Sequence, residues 1–230
     1  MTVAEATWAA SPTAAATAPP DEGALGIRAL DPLSFLDALE EATLLPLADS
    51  ALTAALIGPG DLPAGFLPFL EQGLRVPLET GEAETAARGF ARAEADTGTF
   101  VLHIVMRLPP GGRQQMEAQG WPPALGPAEL ERMMKEAAAT GLPLRQVRAL
   151  DVAGLRGEGM GIQMVLALQD SAQTPWDQRP EEAMAMDFYL LAYGEHLSVL
   201  IVGWPHDRPS GVDSAALARA ADAKVSAVLR

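Results

Sequence analysis

The chain has 230 residues, 49% of them hydrophobic and 20% charged, and its formal net charge at pH 7 is −14. A nucleic-acid surface needs clustered lysine and arginine to displace counterions, so this acidic sequence without a basic cluster excludes nucleic acid as an expected partner. The sequence contains no cysteine, which excludes disulfides, thiol nucleophiles and cysteine metal sites.

Residues 1–26 are rich in alanine, threonine and proline, which predicts a disordered tail before a single α+β domain over residues 27–230. The tail lacks the basic start and apolar block of a signal peptide. Spacers of this composition often follow a removed signal or anchor in bacterial exported proteins. We therefore expect a location in the cell envelope or outside the cell, with the cytoplasm as the alternative.

No transmembrane segment is predicted. The longest strongly apolar stretch, Phe188 to Trp204, is interrupted by Glu195 and His196. It is also shorter than the roughly 20 residues that a membrane-spanning helix needs.

Two helices are predicted before the first strand. Asp31 and Pro32 form a helix start, and apolar residues follow at helical spacing as far as Thr43. A second helix is predicted from Pro46 to Ile57, and the glycine- and proline-rich loop 58–65 ends it.

From Arg88 the apolar residues alternate with a period of two, which predicts a hairpin. The crossover that follows contains the clearest helix pattern, which Pro127 opens and Gly141 closes. Further strands are predicted over Leu144–Val152, Gly161–Gln169, Asp187–Tyr193 and Leu197–Trp204, and a final helix begins at Asp213 or Ser214. Consecutive hairpins, in place of alternating strand and helix units, predict an α+β fold in which helices flank an antiparallel β-sheet.

Two segments carry a resemblance to a known family. The stretch ALIGPGDLPAGF, from Ala55 to Phe66, leaves a helix and leads into a sheet, and the hairpin Asp187–Trp204 precedes the helix Asp213–Arg230. Together they resemble bacterial exported proteins and lipoproteins with the Mog1/PsbP-like α/β/α sandwich. Members of that fold are mostly non-enzymatic, so the resemblance implies a binding or envelope-associated role and supplies no catalytic residues. The sequence departs from the lipoprotein pattern because it has no cysteine to carry a lipid.

The three histidines do not predict a catalytic or metal site. His103 lies on a strand between valines, which favours a structural or surface role over that of a general base. His196 lies in a hairpin turn and His206 follows the return strand, so a strand of about 26 Å separates them. No metal ion and no cofactor are therefore predicted.

Sequence motifs add no catalytic residue. The glycines at 154, 157, 159 and 161 precede a predicted strand and not a helix, which favours a hairpin turn or bulge over a nucleotide-binding loop. The sequence contains no serine-hydrolase elbow, P-loop, zinc-protease motif or calcium loop.

Methionine and tryptophan side chains are the candidates for a ligand pocket. Flexible methionines can line an adaptable apolar pocket, and they can also simply fill a core. The loop after Trp204 brings a histidine, a carboxylate and an arginine together, which suits an anionic or amphipathic ligand or, equally, a solvated loop whose charges pair. The candidate ligand-binding residues are Met134, Met164, Trp176, Met186, Trp204, His206 and Arg208.

The sequence thus predicts a non-catalytic binding or accessory domain of the envelope or extracellular space. Its expected partner is an apolar or amphipathic small molecule or a partner protein. One alternative is a cytoplasmic assembly protein that uses the same surface for a subunit contact, such as a homodimer. The other is a hydrolase with an unrecognised motif, which would need titratable groups that converge in a closed pocket.

Overall fold

The computed structural model describes residues 43–47, 50–78, 81–94, 97–118, 120–167 and 183–229. Three predictions fall outside these residues and are not tested by them. They are the disordered tail over residues 1–26, the part of the helix between Asp31 and residue 42, and the assignment of Trp176 to a ligand pocket.

Eight strands form one sheet in the order β1-β2-β3-β4-β8-β7-β6-β5, and every neighbouring pair is antiparallel. The strands are β1 Thr43–Leu45, β2 Leu67–Leu78, β3 Gly81–Glu94, β4 Thr97–Arg107, β5 Leu144–Leu150, β6 Glu158–Ala167, β7 Ala183–Tyr193 and β8 His196–Pro205. The helices are α1 Ala51–Ala54, α2 Gly112–Ala118, α3 Pro127–Thr140 and α4 Ser214–Val228. An α+β fold with an antiparallel sheet and flanking helices is therefore confirmed.

The crossover between β4 and β5 explains the strand order. Helices α2 and α3 carry the chain from β4 to the far edge of the sheet, where β5 begins a second run of antiparallel strands. This run ends with β8, which pairs with β4 at the centre of the sheet. One edge of the sheet is therefore formed by β1 together with the part of β2 that β1 does not cover. The other edge is β5.

The core has one layer on each face of the sheet. On the α3 face, strand residues such as Ile104 and Val199 pack with Met116 of α2 and Met133 of α3. On the α4 face, Val101 packs with Leu217 and Ala221 of α4, and a neighbouring cluster contains Leu52 of α1.

The two long helices begin and end close to the residues that the sequence indicated. Pro127 is the first residue of α3, and Gly141 ends it in the left-handed region at φ 78°, a conformation that costs glycine little. Asp213 caps α4 by accepting a hydrogen bond of 2.9 Å from the N–H of Ala216.

Two sequence predictions were wrong in the first third of the chain, and one strand and part of another were missed there. The helix predicted from Pro46 to Ile57 is reduced to the four residues of α1, and Thr43 starts β1 and not a helix end. Strand β2 and the part of β3 before Arg88 were not predicted. Because β2 contains two prolines and a glycine, its local sequence disfavours a strand; pairing with β3 forms it, and Leu74 and Val76 are then buried.

Candidate functional site

An uncharged row of side chains crosses the sheet on its α3 face. Each member lies opposite the next in the strand register, so the row spans six strand spacings, or about 29 Å. The row is Leu67, Ala91, Phe100, Gly203, Met186, Met164 and Val147. Met164 and Met186 of this row belong to the hydrophobic core of the α3 face, and Phe100 and Val147 pack against that core.

The β2 end of this row is only partly covered. Ile104 and Met106, near the end of β4 that precedes α2, are 1% and 2% exposed, whereas Phe100 and Leu102 at the other end are half-buried. We call this partly covered region the uncharged patch. It comprises Leu67, Phe69, Leu70, Gly89, Ala91, Phe100, Leu102, Met184 and Gly203.

Two aromatic rings lie flat on the backbone of the patch because the residues beneath them are glycines. A Cβ added to Gly203 would lie 2.1 Å from the ring of Phe100, and one added to Gly89 would lie 2.6 Å from the ring of Phe69. A register shift between Pro68 and Leu70 brings Phe69 to this position. The glycines therefore widen the flat apolar surface.

The exposed hydrophobic residues concentrate at the edge of this patch. Leu67 is 71% exposed and Phe69 is 58% exposed, and among the described residues the other large exposed hydrophobic is Val228, at 38%. The short strand β1 pairs only with residues 73–75 of β2, so it does not reach Leu67 or Phe69. Clustered exposed apolar side chains of this kind mark interaction sites more often than scattered ones do.

The structure separates the predicted ligand-binding residues into groups. Met164 and Met186 are direct cross-strand neighbours on the α3 face, where both are buried. Trp204 packs instead with residues of the α4 face, so it does not share a pocket wall with these methionines. In helix α3, Met133 packs on the sheet and Met134 is half-buried.

His206 and Arg208 lie in the turn after β8, at the same end of the sheet as Gly203 and Met184. The N–H of His206 donates a 2.8 Å hydrogen bond to the carbonyl of Ala183, which fixes the start of the turn. Both side chains are exposed. They therefore border the end of the sheet that carries the uncharged patch.

The α4 face has a different character, because it contains buried polar groups. His103 is fully buried on β4. Its Nδ1 accepts a 3.0 Å hydrogen bond from the N–H of Ile57, and its Nε2 lies 2.9 Å from Oγ of Ser198. Since Nδ1 is an acceptor, the proton of the neutral ring lies on Nε2 and is donated to Ser198.

This geometry does not make His103 a general base. A base for Ser198 would need a free Nε2 lone pair, but Nε2 carries the proton. Burial, followed by the positive charge of Lys224, lowers the pKa of His103 from 6.5 to about 3, so the ring is neutral at physiological pH. The pair ties the Ile57 segment to the centre of the sheet.

Asp222 and Asp187 form two further polar clusters on the α4 face. One oxygen of Asp222 accepts hydrogen bonds from the N–H groups of Arg156 and Gly157 and from the hydroxyl of Tyr193, at 2.9, 3.0 and 2.8 Å. Burial and this carboxylate raise the pKa of Tyr193 far above its usual value, so its hydroxyl stays a donor.

In the second cluster, Asp187 accepts a hydrogen bond of 2.7 Å from the amide of Gln163 and another from the hydroxyl of Ser214, which is the first residue of α4. The buried carboxylates of this face are thus hydrogen-bonded and connect α4 to the sheet and to the loop before β6. They stabilise the fold and leave no carboxylate free for acid–base chemistry at these two positions.

The three histidines do not converge. His103 is in the middle of the sheet, and His196 and His206 lie at opposite ends of β8, roughly 30 Å apart along the strand. In the described part of the chain, no group of three or more histidine, aspartate or glutamate side chains is placed to hold a metal ion.

Sequence reasoning missed the residues that define the patch as a surface. Leu67 and Phe69 were not singled out, because the strand that carries them was not predicted. The sequence showed that Phe100 and Leu102 share one apolar face of a strand. The signal for a continuous surface was this alternation, together with the glycine at position 203 of the last strand. Only the register connects these residues.

Comparisons with known proteins add no relative: no family model matches the chain, and searches of curated proteins and of solved structures likewise return no match. Within the residues that the structure describes, each helix falls short of the length and apolar character that a membrane span requires.

Proposed function

We propose that the chain is a non-catalytic binding domain that recognises an apolar or amphipathic molecule, or an apolar segment of a partner protein, on the uncharged patch. The observation that carries the proposal is the exposure of Leu67 and Phe69, 71% and 58%, at the edge of an uncharged row of side chains. Complete burial of such a side chain contributes roughly 1.5–3 kcal/mol. Covering both therefore supplies a large part of a micromolar binding free energy.

A relationship to the Mog1/PsbP-like proteins and a location in the envelope or outside the cell belong to the same proposal. Support for the relationship comes from an antiparallel sheet that carries helices on both faces. Support for export comes from the alanine-, threonine- and proline-rich composition of residues 1–26. A cytoplasmic assembly protein that uses the same patch is the alternative; the hydrolase alternative loses support from the orientation of His103.

The proposal is tested by titrating the full chain with 8-anilinonaphthalene-1-sulfonate, an apolar ring system with an anionic group. Replacing Leu67 and Phe69 together by serine is expected to weaken binding about tenfold or more, because two apolar contacts are lost. Val228→Ser is the matched control, since Val228 is also an exposed hydrophobic but lies in α4. Equal binding by the double variant and the wild type would place the probe elsewhere and refute the proposal.

A further inference from the structure

The two edges of the sheet differ in how open they are to a further strand. On one side β1 covers residues 73–75 of β2, and the free part of β2 contains Pro68 and a register shift between Pro68 and Leu70. Proline and β-bulges on an edge hinder strand addition. On the other side β5 pairs with β6 alone among the described residues, and after a shift at its start its register is regular from Gln146 to Leu150. The β5 strand is therefore the more open edge.

The β5 edge is basic, although the chain as a whole is acidic. The strand carries two exposed arginines, Arg145 and Arg148, and no acidic residue lies in β5 or in residues 161–166 of β6, which pair with it. On other strands, the exposed arginines Arg75 and Arg107 each form an ion pair with a glutamate. The arginines of β5 form no ion pair with any described residue.

The contacts of Arg148 leave its charge unmatched. Its Nε donates a hydrogen bond of 2.7 Å to the side-chain oxygen of Gln163, which is a neutral amide. The nearest carboxylate behind that amide is Asp187, which is buried and already accepts hydrogen bonds from Gln163 and Ser214. A carboxylate that neutralises Arg148 would therefore come from outside the sheet.

The alternation along β5 defines the strand that would fit beside it. Val147 packs against the core of the α3 face, so Arg148 lies on the α4 face and Ala149 again on the α3 face. An added strand places every second side chain on the face of Arg148, and small apolar side chains suit the positions between. A second copy of β5 fits poorly, because two paired β5 strands would bring four arginines together.

We infer that the β5 edge binds an extended acidic segment of a partner protein by strand addition, with carboxylates at alternate positions beside Arg145 and Arg148. Backbone hydrogen bonds supply affinity in this mode of recognition, and the alternate side chains supply specificity. The edge lies at the opposite side of the sheet from Leu67 and Phe69. This inference therefore goes beyond the proposed function and does not depend on it.

The test uses the full chain at 0.15 M salt and a fluorescent peptide of eight residues in which glutamate and valine alternate. Two versions carry backbone N-methyl groups on either the odd or the even residues, because successive residues of a strand direct their N–H groups to opposite sides. A fourth peptide replaces glutamate by lysine. We expect the unmethylated acidic peptide and one methylated version to bind, and the other two peptides to bind about tenfold more weakly or less.

The charge of the edge is tested with two double variants. Arg145→Gln/Arg148→Gln should weaken binding of the acidic peptide about threefold or more, because exposed ion pairs make modest contributions. Arg75→Gln/Arg107→Gln is the matched control, since it removes the same charge from exposed arginines of other strands. It should change binding by less than about twofold, because salt screens distant charges.

Equal weakening by both methylation patterns would overturn the inference, as would equal binding of the glutamate and lysine peptides or unchanged binding by the Arg145→Gln/Arg148→Gln variant. A concentration-dependent dimer in light scattering that this variant strengthens would also overturn it, since a second copy would then occupy the edge. The Leu67→Ser/Phe69→Ser variant should bind the acidic peptide as the wild type does. Loss of peptide binding by that variant would place the peptide on the uncharged patch and refute the inference, whereas the proposed function is judged by the naphthalene probe.

Discussion

Replacing His103 by leucine is expected to lower the free energy of unfolding at pH 7 by about 2–5 kcal/mol. The N–H of Ile57 and the hydroxyl of Ser198 would each lose a buried partner, and each unsatisfied buried group costs about 1–3 kcal/mol. Urea unfolding of the wild type and the variant measures the difference. His206→Leu, at an exposed histidine, should change the stability by less than about 0.5 kcal/mol.

The pH dependence of stability gives a second readout for His103. Its pKa is about 3 in the folded chain, first because burial disfavours the charged ring and then because Lys224 lies nearby; the unfolded value is near 6.5. The unfolded chain therefore binds the proton more readily between these values. The stabilisation by neutral His103 is complete above about pH 6.5 and is lost as the pH falls towards 3, by about 1.4 kcal/mol per pH unit.

His103→Leu should remove this slope. If the wild type and the variant lost stability in parallel between pH 6 and pH 4, other groups would cause the acid sensitivity. The assigned position of His103 in the core would then be wrong.

Replacing Asp222 by alanine is expected to destabilise the fold by about 3–5 kcal/mol. Asp222 is 4% exposed, and its carboxylate accepts three hydrogen bonds. Removing it would leave the donors of Arg156, Gly157 and Tyr193 without their acceptor, and hydrogen bonds to charged groups contribute about 1.5–3 kcal/mol each without being additive.

Asp222→Asn is the matched control, because an amide oxygen can accept the same hydrogen bonds. We expect it to lose only about 1–2 kcal/mol, since charge assistance disappears but the acceptor remains. Thermal unfolding followed by circular dichroism distinguishes the two variants. Equal losses for alanine and asparagine would mean that the negative charge of Asp222 is what matters, because asparagine keeps the shape and the acceptor oxygen.

Local sequence signals were sufficient for the second half of the fold. Pro127 and Gly141 bracket α3, Asp213 caps α4, and the alternating residues of β7 and β8 identify a hairpin. In each case the signal lies within a few residues of the element that it specifies, which is why a single sequence reveals it.

The first third of the chain could not be predicted in the same way. Strand β2 carries Pro68 and Gly73, and the first half of β3 consists mainly of alanine, glycine and glutamate, which have low strand propensity. The pairing of β2 with β3 and of β3 with β4 overrides that propensity. The crossover that places β8 beside β4 is a long-range property, and no local pattern specifies it.

The candidate site was predicted only in part for the same reason. The sequence indicated an apolar surface and named Met164 and Met186, which lie in the uncharged row. It grouped Trp204 with them, although alternation along β8 places Trp204 on the α4 face. The exposed residues Leu67 and Phe69 belong to the strand that propensity concealed.

Methyl NMR of the methionines tests the binding surface most directly, because seven of the described methionines lie in different parts of the α3-face core or pack against it. Met184 and Met186 lie at the end of the sheet with the uncharged patch, whereas Met116 and Met160 lie in the part covered by α2 and α3. On addition of the naphthalene probe, we expect the methyl signals of Met184 and Met186 to shift and those of Met116 and Met160 to stay in place. Shifts confined to Met116 and Met160, with Met184 and Met186 unchanged, would contradict the account.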